Sequence, residues 1–261
     1  MKMWNAKVAM CGTVLMLAGA GVSNAATITW QSAQNIAGDT DVDTVGTLVR
    51  ALNFNNLPLD PAEVGGEAPT VNGVTFADVS PSSSSWSSGA GAGDITLAVG
   101  TPSASWGNFD GFNGGAAPYT GLSDNYKSLL TSAVFKIGAN QTATYTLLNL
   151  TPGTPYRVQF FVNDSRSASY AWTATDQFTA GNVSDALDVN VGNAWGKLGQ
   201  YVIGTFTADA ATQVISVLGS DPTNNRGIQL NAYQLREVPE PATLGLLTLG
   251  SMMIAFRGRG R

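Results

Sequence analysis

Leu150-Thr-Pro-Gly-Thr-Pro-Tyr156 runs straight into Arg157-Val-Gln-Phe-Phe-Val162 and then Asn163-Asp-Ser-Arg166. Two prolines and a glycine make the first part a turn, because proline presets φ and glycine accepts the conformations other residues avoid. From Tyr156 the chain alternates. Tyr156, Val158, Phe160 and Val162 fall on one side of an extended backbone, the period of two that marks a strand. Asn163 to Arg166 then place polar groups where that strand would leave its sheet.

The same texture extends in both directions. Residues 26–237 are rich in Thr, Ser, Gly, Asn and Val, with short apolar runs between turn signals. Strands are predicted at 27–30, 47–54, 71–76, 94–99, 143–148, 156–163, 169–174, 187–191, 200–207, 213–218 and 228–235. Asn72-Gly73 is a hairpin dipeptide inside the third. A single helix is predicted where Tyr126, Leu129, Leu130, Ala133 and Val134 follow helical spacing, with Ser123 or Asp124 as its cap. One helix among strands is expected to seal an end of a sandwich.

The turn-then-tyrosine pattern at 150–156 resembles the tyrosine corner of fibronectin type III and immunoglobulin-like sandwiches, where the phenol hydrogen-bonds back across the turn. The body has twice the length of such a module and no internal repeat. A single jelly-roll-like β-sandwich with long loops fits it better. Ile28-Thr-Trp30, Gly38-Asp-Thr-Asp-Val42, Asn163-Asp-Ser-Arg166, Gly199 to Phe206 and Asn231-Ala-Tyr-Gln-Leu235 together resemble the ectodomains of uncharacterised PEP-CTERM proteins. That resemblance implies one β-sandwich and brings no activity with it.

Composition removes much chemistry. The 261 residues include no histidine and one cysteine, Cys11. A Ser-His-Asp triad, a Cys-His dyad, a His/Cys zinc site and an iron–sulfur cluster all lack their atoms. Only 12% of residues are charged, 13 basic against 18 acidic. That balance offers no row of cations for a nucleic-acid backbone, so no nucleic-acid partner is expected.

Both ends read as addresses. Lys2 and Lys7 precede an apolar run from Val8 to Ala20, and Ser23 and Ala25 are small enough for signal peptidase to cut between Ala25 and Ala26. The alternative is an N-terminal anchor. At the other end stand Pro239-Glu-Pro241, an apolar run to Phe256, and Arg257, Arg259 and Arg261. As a helix, 242–256 would reach about 22 Å, short of a hydrocarbon core. The arginines behind it hold that end in the cytoplasm.

This tail closely resembles the PEP-CTERM sorting signal of Gram-negative bacteria. The match rests on Pro239, Glu240 and Pro241, the apolar segment and the terminal arginines. It implies transient insertion in the inner membrane through the C-terminal helix, cleavage by an exosortase near Pro239–Pro241, and delivery to the cell surface or extracellular matrix, often alongside exopolysaccharide. The same tail is also labelled the C-terminal segment of ice-binding proteins, which implies nothing about the body. Five of the 13 cations lie in the two ends, so residues 26–256 carry eight against 18 carboxylates, a net −10.

Few residues in the body offer site chemistry. Asp39, Asp41 and Asp43 alternate along a loop, where they would either converge on calcium or form a solvated acidic turn. An EF-hand is excluded by Thr44 and Arg50 at the positions needing glycine and glutamate. Asp164 and Arg166 form either a ligand-binding pair or a turn-stabilising salt bridge. In the Gly- and Asn-rich stretch 100–125, Trp106, Phe109, Phe112 and Tyr119 either face sugars or plug the core. Asp110, Asp164 and Asp176 remain as acids for a glycosidase-type pair. Thr-x-Thr pairs at 142/144, 173/175 and 205/207 follow ordinary strand propensity, with no repeat to align them into an ice-binding face.

The expectation is an all-β chain in three parts: a signal peptide at 1–25, a single jelly-roll-like sandwich with one short helix at 26–237, and a sorting signal with a hydrophobic helix at 238–261. The function expected is that of a secreted, exosortase-sorted surface or matrix protein, non-enzymatic, structural or weakly polysaccharide-binding. The alternative is a polysaccharide hydrolase or lyase using aspartates, with calcium as the possible cofactor.

Overall fold

The computed structural model describes residues 25–54, 68–79, 85–87, 95–99, 107–138, 140–166, 174–220 and 226–239. The longer elements in chain order are β1 (Thr47–Phe54), β2 (Ile95–Val99), β3 (Gly107–Asp110), α1 (Asp124–Thr131), β4 (Ser132–Ile137) and β5 (Gln141–Leu147). They continue as β6 (Pro155–Val162), β7 (Thr175–Ala180), β8 (Gln200–Thr207), β9 (Gln213–Ser220), β10 (Arg226–Leu230) and β11 (Ala232–Glu237).

The domain is all-β. One seven-stranded sheet runs Thr29–Trp30, β8, β6, β11, β1, Ala77–Val79, with Gln34–Asn35 also on β8. A second runs Asn182–Val183, β7, β9, β5, β2, Ser85–Ser87, with Leu187–Asp188 also on β7. Among the described residues strand pairing is antiparallel except between β1 and Ala77–Val79, and an isolated parallel bridge joins Ile28 to Gly181. A three-stranded sheet, β10–β4–β3, and the hairpin Thr70–Val71/Val74–Thr75 complete the set. Among the described residues no sheet closes on itself.

The two large sheets share one core. Tyr156, Val158, Phe160 and Val162 all enter it, as their alternation predicts. Opposite them come Ile215 and Val217 of β9, Tyr145 of β5 and Phe178 of β7. Phe160 lies nearly parallel to Phe178, 4.7 Å between centroids and 6° between planes. Such a pair adds about 0.5–1.5 kcal/mol beyond its burial. The corner at the start of β6 forms as the resemblance implies: the Thr151 N–H donates to the Tyr156 hydroxyl at 3.0 Å.

Three expectations are corrected. The helix ends at Thr131, and Ala133 and Val134 belong to β4, where pairing with β3 and β10 replaces helical bonds. Ser123 is the cap, accepting from the Tyr126 N–H. Nor does the helix seal an end. Phe161, on the opposite side of β6 from Phe160, packs edge-on against Tyr126, so α1 covers the outer face of the first sheet. The run 228–235 is two strands in different sheets, broken at Asn231. The run expected at 169–174 lies outside the described residues except Ala174. Among the described residues no helix is long and apolar enough to cross a membrane. The segments 1–24 and 240–261 lie outside them.

Candidate functional site

β6 delivers Asn163–Arg166 to the place where three loops meet. The Ser165 N–H donates to the Phe112 carbonyl at 2.9 Å, and the Gly196 N–H donates to the Ser165 carbonyl at 2.9 Å. Asn190 closes the turn beyond: its amide donates to the carbonyls of Asp164 and Ala194, and its Oδ1 accepts from the Ala194 N–H. The first two bonds run between backbone groups, and the Asn190 side chain supplies the other three.

Most of the polar residues expected at an exposed rim are buried. Asn163, Asp164 and Ser165 are at most 1% exposed. Asn163 Oδ1 accepts from the Gly199 N–H at 2.9 Å and the Ser165 hydroxyl at 3.1 Å. Arg166 grips Asp164 with two parallel bonds, Nε to Oδ1 at 2.8 Å and Nη2 to Oδ2 at 2.6 Å. The guanidinium also sits 4.5 Å over the Phe112 ring. A fork of this kind combines charge with fixed geometry, so it braces the turn after β6.

The aromatics divide. Phe112 and Tyr119 are buried, Tyr119 in the core beneath α1 and Phe112 against Arg166 and Phe135. Phe109 is placed in β3 opposite Ala133, and Trp106 lies outside the described residues. A ring that the sequence did not single out reaches solvent at the residue before Gly196. Trp195 is 54% exposed. Gly115 makes room for it, since a Cβ there would sit 2.6 Å from Trp195 Cζ2. Its signal was Gly192-Asn-Ala-Trp-Gly196, a tryptophan at the tip of a glycine-flanked turn.

Asp39, Asp41 and Asp43, read from the sequence as either a calcium loop or an acidic turn, each bond to protein groups. Asp39 Oδ1 accepts from the Ser123 hydroxyl at 2.7 Å. Asp41 Oδ2 accepts from the N–H groups of Ala37 and Gly38 and from the Tyr126 hydroxyl. Asp43 Oδ2 meets Arg157 Nε at 2.6 Å. Gln159 and Gln234 donate to the carbonyls of Asp41 and Asp43, which fastens the loop to the outer face of the first sheet. Each carboxylate satisfies a different part of the fold. Among the described residues, no three His, Cys, Asp or Glu side chains are grouped to hold a metal ion.

Of the candidate acids, Asp176 is fully buried and accepts from the Gln229 N–H at 2.9 Å. Burial pushes its pKa well above the usual carboxylate range, and that one hydrogen bond only partly opposes the shift. Asp110 lies in β3 opposite Ser132. Neither Asp164 nor Asp176 presents its carboxyl to solvent.

At the C-terminal end, β11 sits between β6 and β1, and the Val238 N–H donates to the Pro155 carbonyl at 3.0 Å. Gly46, at φ +84°, lets the neighbouring loop press on the Glu237 carbonyl, where any side chain would overlap it. Pro239 follows in the open, and Glu240 and Pro241 lie outside the described residues. Residues 237–261 match the family model of the PEP-CTERM protein-sorting motif. The chain carries a PEP-CTERM motif. Such a motif is consistent with an exosortase-processed protein of the cell surface. No curated protein and no solved structure matches the chain. At the other end, Ala26 is held by a bond from Gln213 Nε2 to its carbonyl at 2.9 Å.

Proposed function

We propose that this is a secreted, exosortase-sorted protein of the cell surface or extracellular matrix, non-enzymatic, with a structural role and weak polysaccharide binding. The PEP-CTERM motif at 237–261 carries the proposal, because it begins at the last residue of the last strand. Signal peptidase removes 1–25 between Ala25 and Ala26. The apolar run after Pro241 halts the exported chain in the inner membrane until the exosortase cuts. The body is a jelly-roll-like β-sandwich, supported by the single core that its two large sheets share. Sugar contacts fall to Trp195, whose half-exposed indole offers an apolar face for a pyranose ring.

Intact-mass analysis of the surface protein tests the sorting. The mature chain is expected to start near Ala26 and end near Pro239–Pro241, whereas a chain still ending at Arg261 refutes exosortase processing. Affinity electrophoresis in gels containing the producing cell's exopolysaccharide tests the binding. Trp195→Ala is expected to abolish retardation without changing the melting temperature, and equal mobility of the two proteins refutes the role of Trp195.

A further inference from the structure

The outer face of the second sheet is built unlike the rest of this acidic body. On β5, β7 and β9 the residues alternate strictly, apolar or buried inward and small or uncharged outward. Strand register lines the outward residues up across the sheet: Ala98 faces Thr144, Thr144 faces Ser216, Ser216 faces Thr179, and Thr179 faces Val183. Thr144 of the 142/144 pair therefore belongs to this row, and Thr142 belongs to the next one, opposite Leu218. Val214 and Leu218 stand on either side of the Thr144 row, each 41% exposed, and Val183 at its end is 55% exposed. No outward residue of β2, β5, β7 or β9 described here is charged. Among the described residues of these strands, a carboxylate enters at the corner, where Asp188 pairs with Thr175.

From this face we infer that the chain self-associates, two copies stacking sheet on sheet about a two-fold axis near Ser216. A stretch of net −10 (residues 26–256) repels its own copies, and the repulsion is least where a broad surface carries no charge. Two faces of one twist pack aligned, about 10 Å apart, with their side chains interdigitating. The valines and Leu218 supply apolar knobs, and the threonines and Ser216 supply the small residues between them. The five strands from Asn182–Val183 to β2 hold 28 residues and make a face of roughly 440 Å², so a pair covers about 900 Å². That sits at the low end for specific association, which makes the contact reversible and suited to a surface where copies are crowded. The contact is isologous, so every substitution acts twice.

Sedimentation of the purified full chain in a mild non-ionic detergent, over a range of concentrations, tests this. A monomer–dimer equilibrium is expected, tightening as salt screens the net charge. Ser216→Glu places two carboxylates across the axis and is expected to raise the dissociation constant at least tenfold. Thr29→Glu, on the exposed edge of the other sheet, is expected to leave it unchanged. In a Cys11→Ser background, Ser216→Cys is expected to form an intermolecular disulfide under mild oxidation. Three results overturn the inference: a monomer at every concentration, an association indifferent to Ser216→Glu, or a monomer bound by neutral dextran through this face. The second would assign association to the apolar tail, and the third would assign the face to a glycan.

Discussion

Replacing Asn231 by alanine removes the side chain that divides one apolar run into two strands. Its Oδ1 accepts from the Asn163 N–H at 2.7 Å, and its amide donates to the carbonyls of Leu130 and Ser132, both at 2.9 Å. All three bonds are buried, so water cannot replace them. A buried backbone group left unpaired costs about 1–3 kcal/mol, and partial relaxation keeps the total near 3–5 kcal/mol. Against a typical domain stability of about 5–15 kcal/mol, that is a large fraction. Urea unfolding followed by tryptophan fluorescence checks it: the midpoint is expected to fall while the slope stays constant. Asn231→Asp separates bonding from size, since it keeps the acceptor but turns an oxygen toward two carbonyls. It is expected to be no more stable than the alanine variant. A loss below about 1 kcal/mol in Asn231→Ala would refute the reasoning, because the strands would then part for some other reason.

Two further perturbations follow from the buried and acidic groups. Burial raises the pKa of Asp176 in the folded state, so the native chain holds a proton that the unfolded chain gives up at ordinary aspartate pH. Its contribution is therefore complete at acid pH and is lost as pH climbs from the ordinary aspartate value toward the raised one. Asp176→Asn is expected to flatten this part of the stability–pH curve measured by urea unfolding, and a curve parallel to wild type would contradict it. Calcium is expected to leave the melting temperature unchanged, since Arg157, Ser123, Tyr126 and backbone N–H groups already occupy the carboxylates of Asp39, Asp41 and Asp43. A rise with calcium that EDTA reverses would contradict that arrangement.

The strands were legible wherever one face is wet and the other dry, as in β6 and β9, because alternation records which side meets the core. Legibility failed where an element is covered twice. Phe161 and Gln159 of β6 are buried as well as Phe160, and that second covering by α1 and the acidic loop leaves no separate mark in a period of two. Ala133 and Val134 kept helical spacing by coincidence, and the pairing of β4 with two strands decided their state. At the candidate site, the Asp164–Arg166 fork was readable as one of two options from residues two apart. Trp195 was not, because its turn is brought to Ser165 by a bond from the Gly196 N–H, far away in the chain.

By itself the sequence determined the class of fold, the excluded chemistries and the sorting motif, all of which depend on residue type and local order. A missing histidine or a Pro-Glu-Pro before an apolar run needs no contact partner to be recognised. Only the tertiary structure decided where the carboxylates of 39–43 go, which aromatic ring meets solvent, and that the uncharged threonine and serine rows align. Each of these is a relation between segments far apart in the chain. Hydrogen-bond register between strands, which no single strand contains, sets the alignment.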